Sequence, residues 1–147
     1  MVRCTMRDIL KVSRVLDDNS VFFPINGHHC TIGEEGSSAY GLLARQDIVV
    51  LMPNEGSVVA FIPYNQHIFN VHMAFLPEWR GKLAKYAMLD SFSWVFENTS
   101  CRKIMGMEDS KNKAALRFCS MLGERQGLLN NVDGKGTDMV IFGRCKP

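Results

Sequence analysis

The sequence lacks the features that mark several protein classes. No apolar run approaches the roughly 20 residues that a membrane-spanning helix needs, and the first segment, MVRCTMRDILK, has no apolar signal core. The five cysteines are odd in number, irregularly spaced and form no CxxC pair. Such scattered cysteines are typical of free thiols, so we expect all five to be unpaired in a reducing cytoplasm.

Strong charge of one sign is also missing. The net charge is +2 over 147 residues, which is too small to indicate a polyanion partner. One side of a predicted helix does carry four cations, Arg3, Arg7, Lys11 and Arg14. They form either a solvated face or a patch for a phosphate-bearing or acidic partner. Because no aromatic residue is interleaved with them, nucleic acid is an improbable partner.

Metal-site spacing, repeats and linkers are absent as well. His28, His29 and Cys30 are adjacent in a glycine-bearing loop over 21–36, but adjacent ligands rarely converge on one ion and no second cluster lies at a zinc-site spacing. We therefore expect no metal site. With no internal repeat or linker, the length predicts one domain over 1–147.

The most informative stretch runs from residue 68 to residue 97. Phe69, Val71, Met73 and Phe75 alternate with polar or small residues, which predicts a strand that ends before Pro77. Small and apolar residues then recur at helical spacing. Between the two lies Arg80-Gly81-Lys82. A glycine between two cations at the start of a helix is a candidate anion cradle, because the first N–H groups of a helix have no internal partner.

The rest of the chain predicts alternating elements around this unit. We expect two helices, three antiparallel strands, a helix, a strand parallel to the third, a helix capped by Asp109 or Ser110 and ended by Gly123, and two final strands. The predicted bounds in that order are 5–17, 37–45, 48–52, 58–62, 69–75, 83–97, 103–107, 111–122, 125–129 and 139–142.

This order, together with three motifs, resembles the GNAT superfamily of acyl-CoA-dependent N-acetyltransferases. The segment PEWRGKLAKYAMLDSFSWVFE looks like the family's strand end, pyrophosphate loop and helix. Asn112 with Ala115 and Phe118 is similar to its asparagine motif, and Leu122-Gly123 to its Leu-Gly-Phe. The likeness extends from about residue 48 onward and is clearest over 71–123. It is strongest to the small acetyltransferase-like proteins of tailed bacteriophages, some of which are encoded beside internal virion proteins.

The resemblance implies an α/β (α+β) fold, with a mixed, mostly antiparallel sheet of six to seven strands and helices on both faces. It implies transfer of an acetyl group from acetyl-CoA to a primary amine through a ternary complex. The pantetheine arm would pair with a strand end, and the pyrophosphate would bind at the start of the long helix. The cofactor-binding residues implied are Ala74, Phe75, Leu76, Arg80, Gly81, Lys82, Leu83, Ala84, Lys85 and Asn112.

The sequence departs from the family pattern at two places. In the loop pattern (Gln/Arg)-x-x-Gly-x-(Gly/Ala), counted from Arg80, Leu83 and Lys85 occupy the two small positions, so the loop is degenerate or one residue short. Cys119 stands where the family has a tyrosine that protonates the leaving thiolate, and it is either that proton donor or core packing. His72 is either the general base or a histidine satisfied by backbone groups, with Glu78 as a second candidate base.

Two functions follow from the resemblance. The first is an N-acetyltransferase whose amine acceptor, a small molecule or a protein, would be selected by the loops over 21–36 and 130–138. The alternative is a catalytically degenerate GNAT-fold bacteriophage protein with a virion-structural or binding role. A homodimer or a virion partner fits either function. The expected location is the cytoplasm, of the host if the protein is phage-encoded, or the virion.

Overall fold

The computed structural model describes residues 1–21 and 37–147. His28, His29, Cys30 and most of the predicted loop over 21–36 lie outside these ranges. The elements follow the predicted order. The helices are α1 (Ile9–Leu16), α2 (Ser37–Leu43), α3 (Lys82–Asn98) and α4 (Lys113–Ser120), with 3-10 turns at Met6–Asp8 and Pro77–Trp79. The strands are β1 (Val49–Asn54), β2 (Ser57–Pro63), β3 (Ile68–Phe75), β4 (Lys103–Asp109), β5 (Glu124–Leu129) and β6 (Met139–Cys145).

The strands form one six-stranded sheet in the order β1-β2-β3-β4-β6-β5. All neighbours are antiparallel except β3 and β4, which α3 connects as a parallel pair. One face packs on α3 through residues such as Val59, Phe61 and Phe92. The other face packs on α1 and α2 through residues such as Val12 and Ala39. The predicted fold class, a mixed sheet with helices on both faces, is confirmed.

The first hairpin is tighter than the sequence predicts. We expected Pro53 to lie in the turn, but β1 continues through it to Asn54, and the turn is Glu55-Gly56. Proline is tolerated here because β1 is an edge strand and one extra residue bulges between Leu51 and Asn54. The hairpin therefore brings Gly56 beside the end of β3, where it contacts the turn before α3.

The N-terminal segment is tied to β1 rather than free. Arg3 pairs with Leu51 in an isolated antiparallel bridge, and its guanidinium donates to the carbonyl oxygens of Gln46 and Ile48 at 2.5 and 2.7 Å. Lys11 lies 3.9 Å from the carboxylate of Asp8. Half of the predicted basic face thus has structural partners within the chain.

The last helix begins and ends differently from the prediction. Asn112, and not Asp109 or Ser110, is the N-cap of α4, and its side chain accepts a hydrogen bond from the N–H of Ala115 at 3.2 Å. Gly123 follows the helix as expected, but not to adopt a left-handed cap. A Cβ there would lie 2.7 Å from the carbonyl oxygen of Gly143. The glycine is required because the backbone passes so close to β6.

The described cysteines, Cys4, Cys101, Cys119 and Cys145, are free thiols. Cys30 lies outside the described residues, so the prediction of five free thiols is met for the four that the structure describes. Within the same ranges, no helix is long and apolar enough to cross a membrane.

Candidate functional site

The parallel strands β3 and β4 separate soon after they begin. They are paired at only three positions, Ile68 with Lys103, Phe69 with Ile104 and Asn70 with Met105. Beyond these positions β3 continues to Phe75 and β4 to Asp109 without pairing to each other. A wedge-shaped gap therefore opens in the middle of the sheet.

The backbone groups of β3 that face this gap follow from its register. The N–H of Leu76 donates to the carbonyl of Gly56 at 2.9 Å, and the N–H of Tyr64 donates to the carbonyl of Ile68 at 2.8 Å. Even-numbered positions of β3 are therefore hydrogen-bonded toward β2. Because successive residues alternate, the N–H and C=O groups facing the gap are those of the odd positions, Val71, Met73 and Phe75.

This alternation changes the predicted pantetheine contacts. The resemblance implies that the arm pairs with Ala74, Phe75 and Leu76 at the strand end, but only Phe75 presents its backbone to the gap. The backbone of Ala74 and Leu76 is directed toward β2 instead. The sequence pattern could not distinguish these residues, because it predicts which side chains share a face but not which neighbour each backbone group pairs with.

A sharp turn places the start of α3 at the end of this gap. Trp79 packs directly on Gly56, so closely that a Cβ on Gly56 would lie 1.9 Å from Trp79 Cδ1. Gly81 then reverses the chain with φ 67° and ψ −124°, a conformation that favours glycine. No side chain of the described residues caps the helix. The N–H groups of Lys82, Leu83 and Ala84 are the first of α3, with no partner inside the helix.

The predicted cations of this turn are not equivalent. Arg80 donates from Nε to the carbonyl of Phe75 at 3.2 Å and from Nη2 to the carbonyl of Ser20 at 2.9 Å, so its guanidinium holds the turn together. The Nζ of Lys82 lies 5.8 Å from the centre of the Tyr86 ring. Leu83, which stands where the GNAT loop pattern has glycine, is 50% exposed. Its side chain therefore projects outward and does not fill the gap.

A cavity of about 460 Å³ lies between β3, the start of α3 and α4, and we call it the α3–α4 cavity. Several predicted site residues line this cavity. The other predicted residues of the turn before α3 do not line it, and neither does Asn112. The predicted residues that line it are Ala74, Phe75, Arg80, Gly81, Ala84 and Cys119. The rings of Phe75 and Phe118 contact edge to face across this space, with centroids 6.1 Å apart.

The sequence analysis missed two charged residues of this cavity. Arg117 on α4 and Glu108 on β4 both line it. A signal for Arg117 was present, because Ala114, Arg117, Phe118 and Met121 recur at the spacing of one helix face, and all four line the cavity.

Asn112 has a structural role in this arrangement. Its Oδ1 caps α4, and its Nδ2 donates to Glu108 Oε1 at 3.2 Å. Glu108 Oε1 also accepts from the N–H of Asp109 at 3.1 Å. Asn112 therefore braces the β4–α4 connection.

Cys119 faces the α3–α4 cavity from α4. Burial, reinforced by the negative charge of Glu108, raises the pKa of the Cys119 thiol to about 11. The thiol therefore stays protonated at neutral pH. It can donate a proton, but it is not a thiolate nucleophile.

His72 lies on the opposite face of the sheet. It lines a second cavity, of about 330 Å³, together with Leu16, Ser38 and Leu42, and we call this the α1–α2 cavity. Much of the His72 side chain is exposed. Its partial burial nevertheless lowers the pKa of His72, so the imidazole is neutral at neutral pH. Met73 and Ala74 line both cavities, which therefore adjoin along this part of β3.

Glu78, the other candidate base, is exposed in the 3-10 turn and lines neither cavity. In the part of the chain that the structure describes, no cluster of His, Cys, Asp or Glu side chains could hold a metal ion. Among the described residues, the site therefore combines these two cavities, the candidate proton-transfer groups His72 and Cys119, and a helix start whose first N–H groups have no partner within the helix.

No protein-family model matches the sequence, and a search of curated proteins found no similar sequence. Solved structures do match. An N-acetyltransferase from Staphylococcus aureus Mu50 superposes with a TM-score of 0.74 at 13% identity, over 98% of this chain and 95% of its own. The ribosomal-protein-alanine N-acetyltransferase from Brucella melitensis has a TM-score of 0.72 at 13% identity, over 99% and 98% of the two chains.

A third match is a GNAT-family acetyltransferase from Bacillus anthracis, with a TM-score of 0.72 at 14% identity over 97% of this chain and 92% of that one. Identities this low establish similarity of fold and leave the activity to be argued from the site. The chain has the fold of the GNAT acetyltransferases.

Proposed function

We propose that the protein transfers an acetyl group from acetyl-CoA to a primary amine. The observation that carries the proposal is the gap between β3 and β4, which opens into the α3–α4 cavity and ends at the uncapped start of α3. A strand-like segment and an anionic group can both be bound there, side by side. Acetyl-CoA has these two parts in its pantetheine arm and its diphosphate.

The residues of the cavity fit this co-substrate. The arm would lie along β3 and pair with backbone groups of Val71 and Met73 and with the N–H of Phe75, since Arg80 already occupies the Phe75 carbonyl. The diphosphate would accept hydrogen bonds from the first N–H groups of α3, where the helix dipole also favours an anion. Arg117 adds a positive charge from the opposite wall.

The acceptor would approach from the other face of the sheet. The two cavities adjoin at Met73 and Ala74, so an amine in the α1–α2 cavity would reach a thioester in the α3–α4 cavity through the gap between β3 and β4. His72 lines the amine's side of the gap and Cys119 the thioester's side. This division matches the two proton transfers that the reaction needs.

In the proposed reaction the amine nitrogen attacks the thioester carbonyl carbon. A C–N bond forms, the C–S bond breaks, and the electron pair of that bond leaves on sulfur. His72, neutral at neutral pH, takes the proton that the amine nitrogen loses. The Cys119 thiol gives a proton to the departing thiolate, and a backbone N–H of β3 that faces the gap stabilises the oxyanion that forms on the carbonyl.

The test is an acetylation assay that measures released CoA thiol over a panel of primary amines, with Arg117→Gln as the variant and Arg102→Gln as its matched control. Arg102 is exposed and lines neither cavity. We expect Arg117→Gln to raise the KM for acetyl-CoA and Arg102→Gln to leave it unchanged. Equal KM values in both variants would contradict the assignment of the α3–α4 cavity to acetyl-CoA.

A binding module without turnover is the second candidate. It is favoured by the guanidinium of Arg80, which is held by two backbone carbonyls, and by Leu83 at a position where the family has glycine. Such a protein would release no CoA thiol with any amine. The bacteriophage likeness, the cytoplasmic or virion location and the homodimer or virion partner stay predictions.

A further inference from the structure

We propose that the acceptor is a small primary amine whose remaining part is apolar and uncharged, and not a polyamine. This inference rests on the proposed function, since it specifies which amine enters the α1–α2 cavity. It comes from the chemistry of the walls of that cavity. Neither the family resemblance nor the comparisons specify an acceptor for this chain.

The described walls of the α1–α2 cavity are almost entirely aliphatic. Ser38 and His72 are its polar side chains within the described ranges. The aliphatic residues come from α1, α2 and β2. They are Leu16, Leu42, Val58, Ala60 and Ile62. An apolar group that enters this space exchanges water for hydrocarbon contact along most of its surface.

No described residue that lines the cavity carries a formal negative charge at neutral pH. The acid nearest in sequence, Asp17, adjoins Leu16, accepts a hydrogen bond from Ser13 Oγ, and is not a lining residue. A polyamine would have to bury a second ammonium group here without a carboxylate partner from the described walls. Burying an unpaired charge is costly, so such an acceptor is disfavoured.

The attacking end of the acceptor meets different surroundings. His72 is the one lining side chain of the described walls that can take up a proton near neutral pH, and the surroundings lower its pKa. Within the described walls, the cavity thus pairs a single base with aliphatic side chains. At about 330 Å³ it falls at the small end of the range for small-molecule sites, which suits a ring or a branched chain.

The first test measures amine binding without turnover. The full chain is titrated by NMR with 2-phenylethylamine, 3-methylbutylamine, putrescine and spermidine, and the His72 ring resonances report on this cavity. Each buried methylene should tighten binding about fourfold. We therefore expect 2-phenylethylamine to bind at least tenfold tighter than putrescine. Equal or tighter binding of putrescine or spermidine, or no shift at His72 with any amine, would overturn the inference.

A charge introduced into the wall gives the second test. Ser38→Asp places a carboxylate in the cavity, and Ser38→Asn is its matched neutral control. We expect the aspartate variant to bind putrescine about tenfold tighter than the asparagine variant, with a smaller gain for 3-methylbutylamine, whose single ammonium group would bind at His72. Equal putrescine affinities in the two variants would show that the cavity does not hold the amine.

The two proposals fail in different ways. A protein that acetylates spermidine faster than 2-phenylethylamine would overturn the inference about the acceptor and leave the acetyltransferase proposal intact. A protein that does not bind acetyl-CoA but shifts the His72 resonances with apolar amines would overturn the acetyltransferase proposal alone. Amine binding is measured in the absence of acetyl-CoA for this reason.

Discussion

Replacing Gly81 with aspartate puts a carboxylate at the first turn of α3, where we propose that the diphosphate of acetyl-CoA binds. Among the described residues, no heavy atom beyond the chain neighbours lies within 4 Å of a Cβ built on Gly81, so a Cβ there meets no clash with them. The backbone at φ 67° is strained for any residue with a Cβ, at a cost of about 1–3 kcal/mol. Gly81→Asn carries the same strain and almost the same shape without the charge.

The difference between the two variants isolates electrostatics. Two like charges about 4 Å apart repel by about 1 kcal/mol in water and by about 4 kcal/mol at the effective dielectric constant near a protein surface. Gly81→Asp should therefore bind acetyl-CoA about fivefold to several hundredfold more weakly than Gly81→Asn. Both side chains are good N-caps, so the melting temperatures of the two should be similar.

The assay is calorimetric titration of each variant with acetyl-CoA at low and high salt. The affinity difference should shrink as salt screens the repulsion. If wild-type protein binds acetyl-CoA while the aspartate and asparagine variants bind equally well at low salt, the anion site is not at this helix start, and the assignment of the first N–H groups of α3 is refuted.

Three further predictions follow from the site and its surroundings. The pH–rate profile should fall on the acid side, below pH 6.5, as His72 becomes protonated, and His72→Gln should remove that limb; an unchanged limb excludes His72 as the base. Cys119→Ala should lower kcat about 100-fold or more at unchanged acetyl-CoA affinity, whereas unchanged kcat would assign Cys119 to packing; Cys119→Tyr should retain turnover if its ring fits the cavity. Gly56→Ala should displace the Trp79 ring and cost about 1–3 kcal/mol of unfolding free energy, measured by denaturant titration, and an unchanged midpoint would contradict the packing described for this turn.

Much of the fold was predictable because its signals are local. The alternation over β3, the apolar stripe of α3 and the short β-branched runs of β1 and β2 each predicted the element that forms. The rule that a strand, helix and strand pack as a parallel pair then placed β4 beside β3. Element ends were less accurate: β1 extends through Pro53, which an edge strand with a bulge tolerates.

The candidate site was less predictable because it depends on distant contacts. Arg80 was expected to face the phosphates, yet its guanidinium is held by carbonyls of Phe75 and of Ser20, which lies 60 residues away. Burial and the charge of Glu108 raise the pKa of Cys119, and only the β4–α4 geometry brings these two residues together. The gap between β3 and β4 likewise arises from the number of paired residues, which hydrophobic patterning does not encode.

The central claim is that acetyl-CoA binds along β3 with its diphosphate at the start of α3. The most direct measurement is a titration of isotope-labelled protein with acetyl-CoA, followed through the backbone amide resonances. The account predicts saturable binding, with a Kd in the range of about 1 μM to 1 mM that is common for KM values, and the largest shifts at the amides of Met73, Phe75 and Lys82 to Ala84. Amides at these positions that do not move at millimolar acetyl-CoA would contradict it.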